Sequence, residues 1–125
     1  MDGNNLLYSK TNKKLGLERV LFLAHYLCEI YDVTIVFDSN FNHNDIKILQ
    51  EAIPPSVKIT CANRGEKADD LLISLGNNKK NTYIVSNDNF IEYSTNEIIR
   101  DKRVIQHDIS ENFIRIPMLD IIKEY

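Results

Sequence analysis

The sequence predicts an α/β fold, an open and mostly parallel sheet with helices on both faces, and three observations carry that expectation. The period of the apolar residues switches repeatedly between helical and strand spacing along the 125 residues. The run Val33-Thr34-Ile35-Val36-Phe37 is continuously β-branched or aromatic, the character of a strand buried on both faces. Strand and helix segments then alternate, and parallel strands joined through helices fold onto one sheet with right-handed crossovers. The length suits one domain, residues 1–125, with enough chain to bury a core.

Each element has a local reason. Leu17, Val20, Leu21, Ala24, Leu27, Cys28 and Tyr31 repeat at helical spacing, while Phe22, Leu23, Tyr26 and Ile30 make other sides of the same helix apolar. That helix is expected to be covered on more than one side. The strand 33–37 ends at Asp38-Ser39-Asn40. Residues 44–53 place Ile46, Leu49 and Ile53 on one face and stop before Pro54-Pro55, whose rings and missing amide hydrogens forbid continuation. Residues 57–60 read as a short strand. A loop containing Asn63-Arg64-Gly65 leads into a helix with Ala68, Leu71, Leu72 and Leu75 inward and Gly76 as its C-cap. Tyr83-Ile84-Val85 is the next strand, 92–100 a helix, Val104-Ile105 a strand, and the chain from Met118 a helical tail.

Composition narrows the function classes. The net charge of −3 argues against coating nucleic acid by charge alone, because phosphate neutralisation supplies that affinity. The longest purely apolar run is Val20 to Ala24, far short of the roughly 20 residues that cross a bilayer. No basic region followed by an apolar stretch opens the chain, so a cytoplasmic protein with no membrane partner is expected. Cys28 and Cys61 lack ligand spacing and are expected as buried thiols. His25, His43 and His107 share no spacing and are expected as surface or packing residues.

Acidic residues stand where such a sheet collects ligands, outside the carboxyl ends of its strands. Asp88 follows the strand ending at Val85, Asp69 and Asp70 open a helix after a strand, and Asp2 sits where a first strand ends. Carboxylates that meet without a cation repel and raise one another's pKa, so their convergence demands a cation. Taken singly each has a plain role: Asp69 and Asp70 complement a helix dipole, and Asp88 and Asp2-Gly3 make turns. Asp38 ends a strand on the same edge.

The segments Asp2-Gly3-Asn4-Asn5, Gly16-Leu17-Glu18-Arg19-Val20-Leu21, Lys67-Ala68-Asp69-Asp70 and Ile84-Val85-Ser86-Asn87-Asp88-Asn89-Phe90 follow an order that resembles the NYN branch of PIN-like nucleases. The similarity is greatest to the ribonuclease domain of the Regnase (MCPIP) family and runs over nearly the whole chain. It implies a PIN-like, Rossmann-like three-layer fold and a metal-dependent endoribonuclease that leaves 5′-phosphate ends. It further implies that Asp2, Asp69, Asp70 and Asp88 are the catalytic acids holding Mg2+ or Mn2+, with Glu92 as a further acid and Asn5 as the motif asparagine at the substrate. A helical turn beginning at Asp88 would set Glu92 on the same face. The cations nearest this edge, Arg64 and Lys67, are the expected phosphate contacts, with Lys10, Lys13 and Lys14 second and Arg100, Lys102 and Arg103 less clearly placed. The expected partner is single-stranded RNA, with a second copy of the chain as a further candidate.

Two departures qualify the resemblance. Met1 alone precedes Asp2, so the first central strand reads as truncated, which would leave a gap of about 10 Å unless neighbours close up or another segment fills it. The CCCH zinc finger of many Regnase relatives is absent from this stretch. The alternative reading is a catalytically inactive PIN-like domain that binds RNA or protein. A phosphoacceptor receiver domain fits less well, since its acidic pair follows the first strand.

Overall fold

A computed structural model of the chain describes residues 1–8 and 13–125. Asp2 starts the short helix α1 (Gly3–Leu6), and α2 (Glu18–Leu27) follows. Strand β1 (Thr34–Phe37), helix α3 (His43–Ala52), strand β2 (Lys58–Cys61) and helix α4 (Ala68–Asn77) come next. Then come β3 (Ile84–Val85), a single-turn 3-10 helix (Ile91–Tyr93), α5 (Glu97–Arg100) and β4 (Val104–Ile105). Strands β5 (Asp108–Ile109), β6 (Phe113–Ile116) and β7 (Ile121–Glu124) complete the chain.

The open, mostly parallel sheet expected from the sequence, and with it the PIN-like, Rossmann-like three-layer arrangement, does not form among the described residues. The strands make two separate parallel pairs, β1–β2 and β3–β4, and a three-stranded antiparallel sheet in the order β5-β6-β7. A sheet grows only where neighbouring backbones offer a ladder of donors and acceptors. Between β1 and β3 that backbone is Met1 and Asp2. Val36 N donates to Met1 O at 2.9 Å, the Met1 ammonium donates to Thr34 O at 2.6 Å, and Asp2 N donates to Val85 O at 3.0 Å. The result is one isolated bridge, Asp2 to Val36, rather than a strand.

The C-terminal segment also departs from expectation. The helical tail from Met118 is replaced by a single 3-10 turn, Pro117–Leu119, and strand β7. Ile114 and Ile116 alternate with exposed Arg115, which is strand periodicity, and Asp120 in the left-handed conformation (φ 56°) folds the chain back so that Ile116 pairs with Ile121. The helix expected over 92–100 is divided by Ser94, Thr95 and an extended Asn96 into the 3-10 turn and α5. Gly76 is not a C-cap. The helix runs past it to Asn77, and a Cβ at Gly76 would lie 2.1 Å from Ile98 Cδ1, so a larger residue there would have to displace that methyl from between α4 and α5.

β1 divides the core as a doubly buried strand should. Ile35 and Phe37 join Leu6, Leu23, Leu49, Ile114 and Ile116 in one cluster, while Val36 points the other way, toward Leu72, Ile84, Phe90 and Ile98. Two arginines are buried inside this frame. Arg19 donates to Ser110 O and Glu111 O and stacks 4.5 Å from the Tyr125 ring, tying α2 to the C-terminal sheet. Arg103 donates to the carbonyls of Lys79, Lys80 and Thr82, just beyond the end of α4. Cys28 and Cys61 are free thiols, half-buried against the core. Among the described residues no helix is long and apolar enough to cross a membrane.

Gly3 lies against Phe37, whose ring would stand 2.3 Å from an added Cβ and is itself stacked on Phe41 at 4.0 Å. Gly3→Ala should therefore lower unfolding free energy by about 1–3 kcal/mol in urea titrations. Gly76→Ala should cost less, because the obstructing atom is the terminal methyl of a flexible side chain.

Candidate functional site

An open cleft of about 610 Å³ lies beside the end of β1, lined by Asp2, Asn4, Asn5, Tyr8, Asp38, Glu66, Lys67 and Asp69 among others. Three segments build it: the Asp2 turn with α1, the loop after β1, and the first turn of α4. Asn4 Oδ1 accepts from the Asp38 backbone N at 2.7 Å, which fixes the second segment to the first.

Asp2 is buried and caps α1, its Oδ1 accepting from Asn5 N at 3.3 Å and its Oδ2 accepting from Ser86 Oγ at 2.7 Å. Burial pushes its pKa up, and these two hydrogen bonds to the carboxylate oppose that rise. Asp69 is shifted as well. Burial first, and then the charges of Asp88, Asp2, Asp38 and Asp70, push its carboxyl up to about 6. Four acids from four places in the chain thus bear on one carboxylate.

Their orientations differ. Asp70, one residue on from Asp69 and so about 100° around the helix, is exposed and accepts from the Tyr93 hydroxyl. Asp88 makes an Asx turn, its Oδ1 accepting from Phe90 N at 2.8 Å, and it lines a second cleft of about 470 Å³ with Ile99, Lys102, Pro117 and Met118. Phe90, in the left-handed conformation, then precedes the 3-10 turn, so no helical turn begins at Asp88. Glu92 instead reaches outward to Lys67, 3.9 Å away, and its side chain is 77% exposed. Among the described residues, no three His, Cys, Asp or Glu side chains stand close enough to hold a metal ion together.

The expected cations separate as clearly. Lys67 precedes α4 and lines the cleft, whereas Arg64 is exposed in the preceding turn and is not part of the lining. Lys13 pairs with Glu111 and Lys14 with Asp45 at 4.0 Å, while Lys10 lies outside the described residues. Arg100 is exposed at the end of α5, Lys102 belongs to the second cleft, and Arg103 is buried.

Asn5 is held from two sides: its Oδ1 accepts from Asn87 N and from His107 Nε2, each at 2.8 Å. His107 is a packing residue, 5% exposed, within the expected surface or packing role, and beyond that role it joins α1 to the loop bearing Asp88. A lone histidine two residues after a short strand carries no spacing signal, so its role is legible only from the contact. Burial holds its pKa down at about 4, with the charge of Asp108 opposing weakly.

No family model, curated protein or solved structure matches this chain.

Two titrations follow from these environments. Folded Asp69 binds its proton more tightly than in the unfolded chain, so it makes stability fall as pH rises from about 4 to about 6. Asp69→Asn should thus stabilise the protein at pH 7.5, by about 1 kcal/mol after allowing for solvent screening of a half-exposed group, as read by urea denaturation. Folded His107 resists protonation that the unfolded chain accepts, so its contribution is intact above pH 6.5 and lost as pH falls toward 4. His107→Gln should flatten the stability profile in that window.

Proposed function

We propose that this protein is a metal-dependent endoribonuclease that hydrolyses phosphodiester bonds of single-stranded RNA in the cytoplasm, with Mg2+ or Mn2+ as its ion. The observation that carries this reading is the Asp69 carboxyl, raised to about 6 in an open cleft by burial and by acids from separate segments. A carboxylate set among other acids gains from a nearby cation, which would favour its charged form.

The donor set suits that ion. All the candidates are hard carboxylate oxygens, and magnesium keeps several of its waters, so one or two direct carboxylates suffice where three do not converge. Asp69 and Asp2 would hold it from the cleft, with Asp88 and Asp38 contributing charge from either side. Asp70, tied to Tyr93, acts from a distance, and Glu92 acts through Lys67. When bound, the ion supplies an activated water and neutralises charge on the phosphoryl oxygens. Lys67 lies in the cleft where a phosphate would enter, and Arg64 stands on the turn before it as an outer contact. Asn5 keeps the cleft floor in register, with its carbonyl oxygen already bonded to Asn87 and His107.

A second reading, a non-catalytic module that binds RNA or protein, has its own support: Asp88 opens to the other cleft and Asp70 is engaged by Tyr93. Cleavage of a labelled single-stranded RNA with Mg2+ or Mn2+ separates the two. The parent protein should cut, EDTA should abolish cutting, and Asp88→Asn should lower the rate by about 10- to 100-fold. Its melting temperature should hold, since an asparagine oxygen can still accept from Phe90 N. Cutting by Asp88→Asn at the parental rate, or insensitivity to EDTA, overturns the assignment. Binding of RNA without cutting selects the second reading.

A further inference from the structure

We propose that His107, as the neutral imidazole with its hydrogen on Nε2, is a positioning residue that sets the Asp88 loop against the helix following Asp2. The donor and acceptor inventory fixes that form. Asn5 Oδ1 can only accept, so His107 Nε2, 2.8 Å away, must donate. The His107 backbone N donates to Asn87 Oδ1 at 2.8 Å, which turns the Asn87 amide nitrogen toward His107 Nδ1 at 3.2 Å. Nδ1 must then accept. Asn87 N closes the circuit by donating to Asn5 Oδ1 at 2.8 Å.

This closed set of bonds joins places far apart in the chain and ends one residue from Asp88 and three from Asp2. A second route runs parallel to it, with Asp88 N donating to Ser86 Oγ at 3.1 Å and that hydroxyl donating to Asp2 at 2.7 Å. Because repelling carboxylates drift apart unless the backbone holds them, the network supplies the restraint that the acids lack. A proton on Nδ1 would face the Asn87 amide hydrogens, whereas the charge of Asp108 favours it.

The inference rests on reading Asp2 and Asp88 as parts of one metal-dependent site, and the experiment separates the two claims. Nitrogen-15 NMR of the parent protein should show His107 as the Nε2–H tautomer, and a Nδ1–H tautomer overturns the proposal. Mn2+ affinity is then measured by paramagnetic broadening for the parent, His107→Leu and His107→Gln. The leucine variant should bind Mn2+ about tenfold more weakly. Glutamine, whose amide can still donate to Asn5, should restore most of that loss. Variants equally destabilised to heat but unchanged in Mn2+ affinity would overturn positioning in favour of packing. Should the leucine variant not fold, the parent tautomer and the glutamine variant decide, an affinity for that variant near the parent's supporting the proposal and one tenfold weaker overturning it. Mn2+ binding that depends on His107 without RNA cleavage overturns the nuclease reading alone, and a parent that binds no Mn2+ overturns both.

Discussion

Backbone hydrogen bonds through Met1 and Asp2 join the β1–β2 pair to the β3–β4 pair, and the site depends on that join. Met1 accepts from Val36 on one side, and Asp2 donates to Val85 on the other. Both groups would otherwise be buried without partners, a cost that few native backbones carry. Asp2 also uses its side chain to cap α1 and to accept from Ser86, so one residue binds the N-terminal helix, β1 and the strand before the Asp88 loop. Gly3 follows because nothing larger fits against Phe37.

This join explains why the acids are near one another although they face different ways. Asp38 leaves β1, Asp88 leaves β3 and Asp69 opens α4, and Asn4 and Asn5 fasten the first two loops to α1. Repulsion among these carboxylates disfavours the fold, and the buried hydrogen bond from Ser86 to Asp2 opposes it.

Local periodicity was legible where it ran long enough. Helices form at Glu18–Leu27, His43–Ala52 and Ala68–Asn77 where the apolar spacing places them, and β1 buries both faces as its β-branched run requires, but Leu75, expected inward, is exposed while Ile73 is buried, and Tyr26, Ile30 and Tyr31 of the first long apolar stretch are exposed. Short segments were not legible. Ile114, Ile116 and Ile121 carry a period of two that only the hairpin makes decisive, and Gly76 signals a cap in sequence but a packing contact in space. Glu92 shows the same limit at the site. Its spacing from Asp88 has meaning only on a helix, and the chain there makes an Asx turn and then a 3-10 turn.

By itself, the sequence determined where the three long helices lie, the double burial of β1 and the presence of acids at the ends of strands, because these follow from side-chain period and from turn chemistry within a few residues. Tertiary structure alone decided that the strands form separate pairs, that Asp69 is the carboxylate on which the others bear, that Asp70 turns to Tyr93 and that His107 links Asn5 to Asn87. Each of those outcomes is a contact between residues far apart in the chain. Such contacts are set by which backbone donors and acceptors are left to pair and by how much charge the surrounding burial leaves unscreened.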